Sequence, residues 1–294
     1  MVRTPTTQTL DVPGAVLHYD IRGELPERDA ADRVLLLAGS PMDASGFVTL
    51  ASHFEERAVV TYDPRGTGRS RRTDGTGELT PETHADDLHR LIDELGAGPV
   101  DIFASSGGAV NALKLVTEHP DDVRTLVAHE PPLATVVPDS DVVLAVCEDI
   151  YRTYQRAGSG PAMAKFIALT GRKGELAPSY LDEPSPSAAD FGLPTEDDGA
   201  RDDPLVGQNL RGCCGYVPDF EALANHPAKI IVAAGEESRG EFAARAAAAL
   251  AHRLGTELAV FPSHHAGFLG GEYGMTGEPE AFARTLRDVL AARL

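Results

Sequence analysis

The sequence predicts an α/β protein built on a mostly parallel sheet with helices on both faces. Three observations carry this. Apolar β-branched runs alternate with helical patterns from residue 34 to about residue 130, which argues for parallel strands joined by right-handed crossovers. Those runs are continuously apolar, as expected of strands buried on both faces. The alternation breaks over residues 131–216 and then resumes to residue 294, so an insertion interrupts one sheet.

In chain order, residues 7–22 read as two short antiparallel strands turning at Pro13-Gly14. Residues 23–32 are polar and read as a loop. VLLLAG (34–39) is a buried strand, followed by a helix to about Glu56 with Phe47, Leu50 and Phe54 inward. AVVTYD (58–63) is the next strand. It leads into PRGTGRS (64–70), which contains GxG but lacks the third glycine and the following helix of a dinucleotide fingerprint. Thr80 and Pro81 open a helix as N-cap and first-turn proline, and Gly96 ends it. VDIFAS (100–105) is a strand, AVNALKLVTEH continues as a helix, and VRTLVAHEPP (123–132) is one more strand. Within the insertion, helical patterns occur at 139–157, 160–170 and around 207–215. Residues 174–207, rich in Pro, Asp, Ser and Gly, cannot form a regular element. Sheet logic returns with a short helix at Asp219–Asn225, the strands KIIVAAG (229–235) and ELAVFP (257–262), and helices at 241–255 and 278–294.

Composition bounds the function. A chain of 294 residues with 42% hydrophobic residues can bury the core of one large α/β domain. A net charge of −19 repels phosphate backbones, so nucleic acid is not an expected partner. Cys147, Cys213 and Cys214 have no disulfide or zinc spacing and fit a reducing compartment. The N-terminus has no apolar signal core and no run reaches membrane-spanning length. A cytoplasmic protein with no membrane partner is expected.

The chemistry centres on Ser105-Ser106-Gly107-Gly108, where a buried strand turns into a helix as in a nucleophile elbow. Centring the motif on Ser106 puts Ala104 and Gly108 two residues to either side, and small residues are needed there because strand and helix approach closely. Centring it on Ser105 puts Phe103 in a place where it clashes. Ser106 is therefore the candidate nucleophile. A serine hydroxyl needs a base, a group orienting that base, and donors for the oxyanion. His264 and His265 follow the last strand and offer a base. No HExxH spacing points to a metal.

With these motifs in view, the chain resembles the α/β-hydrolase fold family over nearly its whole length. The resemblance rests on VLLLAGSPMDA, VVTYDPRGTGRS, VDIFASSGGA and FPSHHAGF, in that order and spacing. It implies a mostly parallel eight-stranded sheet with helices on both faces and a helical cap inserted after strand 6. The core is then 1–130 with 217–294, and the cap 131–216. It also implies a Ser–acid–His triad and no cofactor or metal. The family's His-x-Gly-Phe pattern places the base at His265.

Most members carry the acid as an aspartate three residues after the glycine of the penultimate strand. Here Ser238 occupies that place after Gly235. Glu130, at the end of the strand after the elbow helix and followed by Pro131-Pro132, is the favoured acid, with Glu237 or Glu236 as the alternatives. A branch of the fold similar to haloalkane dehalogenases uses the position of Glu130. The oxyanion donors implied are the backbone N–H groups of Gly107 and Ser40; Ala38-Gly39 stands where the family has His-Gly.

The expected function is a serine hydrolase that cleaves a small-molecule carboxylic ester, or a related lactone or thioester, through an acyl-enzyme. The alternatives are an acyl-transfer or tailoring enzyme of secondary metabolism, and a non-catalytic ligand-binding homologue. The cap is too irregular to reveal a substrate, and its aromatic residues Tyr151, Tyr154 and Phe166 fit either cap packing or pocket wall, with packing favoured. Oligomeric state is not legible.

Overall fold

A computed structural model describes residues 4–27, 33–75 and 77–292. The second half of the loop expected at 23–32, and the last two residues of the closing helix, lie outside the described residues. Strands β1 (Thr6–Val12) and β2 (Ala15–Arg22) form the N-terminal hairpin, in register from Thr6 opposite Ile21 to Val12 opposite Ala15. Gly14, at φ +78°, supplies the left-handed turn residue. β3 (Leu35–Ala38) follows, then α1 (Val48–Ser52), β4 (Val59–Asp63), a two-residue β5 (Arg71–Arg72), and α2 (Pro81–Leu95). β6 (Val100–Ser105), α3 (Gly107–Glu118) and β7 (Val123–His129) complete the first half.

The helix expected to run to about Glu56 ends at Ser52. A 3-10 turn at Ala44–Phe47 precedes α1, and Asp43 caps that turn by accepting from Ser45 N at 2.9 Å. Phe47, Leu50 and Phe54 are nevertheless buried. α2 behaves as its signals dictate: Thr80 Oγ1 accepts from Thr83 N, Pro81 is the first residue, and Gly96 at φ +61° ends it.

The insertion contributes α4 (Ser140–Ala157), α5 (Ser159–Thr170), a π-type turn at Pro204–Asn209 and α6 (Leu210–Gly215). The stretch between α5 and the π turn has two short 3-10 turns, Pro178–Asp182 and Ala188–Phe191. α7 (Phe220–Ala224), β8 (Lys229–Gly235), α8 (Phe242–Leu254), β9 (Ala259–Phe261) and α9 (Pro279–Ala291) return to the sheet.

The strand order is β1-β2-β4-β3-β6-β7-β8-β9. β2 lies antiparallel to β1 and β4, and every pairing from β4 to β9 is parallel. These are the eight strands the family pattern implies, and the chain has the α/β hydrolase fold. A ninth strand, β5, pairs with Ala15 and Val16 of β2 inside what the sequence presents as loop. Ion pairs fold that loop back. Arg65 is held by Asp87 at 2.5 Å, and Arg69 binds both Asp63, at 2.7 Å, and Asp20, at 3.0 Å.

The apolar core lies on both faces of the sheet. One layer joins Leu88, Leu91 and Ile92 of α2, Leu113 and Val116 of α3, and the inner faces of α4 and α8. The other stacks Phe47, Phe103, Phe261, Phe268 and Phe282 against α9. Burying each large apolar side chain contributes about 1.5–3 kcal/mol. Together they fix the strand ends from which the site is built.

Candidate active site

At the end of β6 the backbone reverses through Ser106, at φ 58° and ψ −129°. This is a left-handed conformation that a non-glycine residue holds only when its surroundings enforce it. The enforcing bonds are visible: Ser106 N donates to His129 O at 2.9 Å, and Ser106 O accepts from Ala109 N at 2.9 Å. The two following glycines are required by contact. A Cβ on Gly107 would stand 2.6 Å from Ser40 O, and one on Gly108 would stand 2.5 Å from Ala38 O. α3 thus starts hard against the end of β3. Ser105 is buried in the strand and its Oγ lies 3.2 Å from His129 Nδ1, whereas Ser106 lines a cavity.

The cavity measures about 490 Å³. Ser40, Ser106, Gly107, Glu130 and His265 meet at it from four different strand ends, a convergence that a parallel sheet provides at its carboxyl edge. The peptide bond between Ser40 and Pro41 is cis. Ser40 is 5% exposed, and its loop is braced from below by Asp63, which accepts from Ala44 N at 3.0 Å and Arg69 N at 2.9 Å.

Glu130 is the last residue before the insertion and is 1% exposed. Its backbone also adopts a positive φ, 47°. Glu130 N donates to Ala233 O at 2.9 Å, Glu130 Oε1 accepts from Gly235 N at 2.8 Å, and Glu130 Oε2 accepts from His265 Nδ1. Burial opposes its ionisation, but the hydrogen bond and charge of His265, aided by His129 and Gly235 N, outweigh it and hold the carboxyl at about 2. An ionised carboxylate only accepts, so the His265 proton sits on Nδ1 and Nε2 is left as the basic nitrogen. His265 loses basicity to burial and regains more from Glu130 and Glu241, so its pKa is raised. His129, fully buried beneath the pair, is pushed down to about 4 and stays neutral.

The other sequence candidates fall away from the cavity. His264 turns its Nδ1 onto Ala266 N at 3.1 Å. Glu236 and Glu237 are exposed, and neither lines the cavity. Their backbone N–H groups instead brace the His265 loop, through Phe261 O at 2.9 Å and Ser263 O at 3.0 Å. Ser238 is fully buried and its Oγ has no partner among the described residues.

α5, the π-type turn and α6 supply an apolar roof: Phe166, Ile167, Leu169, Leu205 and Leu210. Phe166 is therefore cavity wall, which corrects the preference for packing. Helical spacing shows that a residue faces inward but not whether protein or space lies beyond it. Tyr154 is buried packing, and Tyr151 lies under the Arg211 guanidinium at 3.5 Å. Cys213, Cys214 and Glu241 also line the cavity, with no signal in the sequence.

Away from the cavity, His89, His119 and Asp122 bring ligand atoms within 4.8 Å of one another. The two rings stack face to face at 3.7 Å and 9°. Their in-plane lone pairs therefore run side by side instead of converging on one point. His89 Nδ1 is bonded to Asp122 at 2.7 Å.

The comparisons with known proteins agree with this fold. Residues 32–167 match the family model described as the alpha/beta hydrolase fold. The chain is 32% identical over 289 residues to the uncharacterized hydrolase YraK of Bacillus subtilis, covering 96% of this chain and 95% of that one. The enol-lactonase from Burkholderia xenovorans has a similar structure, with a TM-score of 0.66 at 19% identity, covering 97% of this chain and 100% of that one. A thermophilic esterase from Thermogutta terrifontis has a TM-score of 0.63 at 20% identity, over 98% of both chains. The chain belongs to the α/β hydrolase family, and it is a hydrolase.

Proposed function

We propose that the protein is a serine hydrolase that cleaves carboxylic esters of small apolar molecules through an acyl-enzyme. One observation carries the reading: a serine held at positive φ shares an apolar cavity with a histidine whose Nδ1 is fixed by a buried, ionised glutamate. In the proposed reaction Ser106 Oγ attacks the ester carbonyl and its proton passes to His265 Nε2. The N–H groups of Ser40 and Gly107 hold the oxyanion. His265 returns the proton to the departing alcohol and the acyl group stays on Ser106. Water then gives a proton to His265 and attacks the acyl carbon; the bond to Ser106 Oγ breaks, His265 passes that proton to Oγ, and the acid leaves. Lactones and thioesters react by the same steps. Residues 131–216 act as the cap that selects the substrate, and no cofactor or metal takes part. The three buried free thiols support a cytoplasmic location.

A fluorophosphonate probe tests the nucleophile. Labelling of the wild type that vanishes in Ser106→Ala, with ester turnover lowered on the order of 10⁶-fold, is expected. An intact protein that takes no label and turns over none of a panel of aryl esters overturns the reading.

A further inference from the structure

Glu241 is a charged residue that makes no side-chain bond among the described residues, and its one link to the proposed reaction is that its charge helps to raise the His265 pKa. It stands at the N-cap of α8, yet its side chain makes no capping hydrogen bond. It is half-buried and lines the cavity. Among the described residues its carboxylate has no hydrogen bond and no ion pair. Of the nearby cations, Lys173, whose backbone bridges to Glu241, places its Nζ 3.4 Å from Glu237 O, Arg245 is clamped on Asp139 at 2.8 Å, and Arg239 is exposed and forms no ion pair with Glu241. Glu130, the other carboxylate at the cavity, is occupied by His265 and Gly235. Ser40, Ser106, Thr170 and Asn209 are neutral, and Asn209 is tied to His84 at 2.6 Å.

The cavity is therefore an apolar chamber with one unpaired negative charge. We propose that Glu241 is a specificity residue, and that the substrate carries a cationic ammonium group on an otherwise apolar frame. This rests on reading the cavity as the substrate pocket. Two physical arguments favour a cation over any other occupant. An unpaired carboxylate facing a poorly hydrated wall gains most from an opposite charge. An anionic substrate would meet this charge and, from a distance, the field of 45 acidic against 26 basic residues, which draws cations in and turns anions away.

The test separates binding from turnover. Hexyltrimethylammonium binding is measured by calorimetry on the wild type, Ser106→Ala and Glu241→Gln, with hexyl sulfate as the anionic counterpart. The ammonium is expected to bind the wild type and Ser106→Ala alike, roughly fivefold to tenfold more weakly to Glu241→Gln, and with a preference that fades in salt, as for an ion pair partly shielded from water. Turnover is read as a ratio: p-nitrophenyl 4-(trimethylammonio)butanoate against its neutral isostere, p-nitrophenyl 5,5-dimethylhexanoate. Any effect of Glu241 on His265 acts on both esters and cancels. The wild-type ratio should exceed the Glu241→Gln ratio by a similar factor. Equal ammonium binding by wild type and Glu241→Gln, or tighter binding of hexyl sulfate, overturns the proposal. If neither ester is turned over while ammonium binding still depends on Glu241, the ester reading fails and the cation site stands.

Discussion

The contact between His265 and Glu130 sets the pH behaviour of the site. As the proposed base, His265 is competent only when its Nε2 is free of a proton, and Glu130 raises its pKa above the usual value of about 6.5. The acid limb of kcat/KM should accordingly lie above about pH 6.5. Glu130→Gln removes the stabilising charge, moves that limb to lower pH and lowers kcat about 10³–10⁴-fold, while Glu237→Gln keeps wild-type kcat. A pH–rate profile of the three proteins checks this, and a full loss in Glu237→Gln would overturn the assignment. The same contact stabilises the fold within a window. The depressed Glu130 contributes above its unfolded value near 4.3 and loses that contribution as pH falls toward about 2. The raised His265 contributes fully below about 6.5 and loses its share as pH rises through its folded value. Their joint contribution is complete only between those limits.

At the scale of elements, much was legible and the gaps have physical causes. The apolar strands and Thr80-to-Gly96 were plain because burial on two faces and capping chemistry are local. Ser106 was separable from Ser105 because a clash at Phe103 can be argued from residue size. The acid was the least legible member: Glu130 was favoured over Glu237 only by resemblance, because the two lie more than 100 residues apart in the chain and only the register of β7 on β8, with Ala128 opposite Val232, brings Glu130 to Gly235 N. β5 was invisible because its cause is the distant pairing of Arg69 with Asp20. Glu241 was hidden because it read as the first residue of the helix at 241–255, with nothing to mark it as facing a cavity. The β3–α3 approach gives a sharp prediction. Gly108→Ala pushes a Cβ against Ala38 O, and the backbone carbonyl cannot give way as a flexible side chain can. A loss of about 3 kcal/mol is expected in denaturant unfolding. Unchanged stability would mean that helix and strand are not in contact there.

For the whole molecule, the question is what ties the insertion to the sheet. Asp139 at the start of α4 accepts two hydrogen bonds from Arg245 of α8, at 2.8 and 2.9 Å, and one from Leu176 N at 2.7 Å. Its side chain is 4% exposed. Removing the guanidinium leaves a buried carboxylate short of partners, which costs more than an exposed pair would. Arg245→Met should destabilise the protein by about 2–3 kcal/mol and speed proteolysis within residues 172–204. Equal digestion of variant and wild type would show that other contacts hold the cap.

Ser238 bears on how such a site changes over time. It is buried at the place where the family resemblance puts an aspartate, with an unpaired hydroxyl, while Glu130 serves His265 from the neighbouring strand. By the family resemblance, the fold thus has two places for a single charge, one at the end of β7 and one after β8. Ser238→Asp followed by Glu130→Gln is the two-step substitution by which the acid would move between strands.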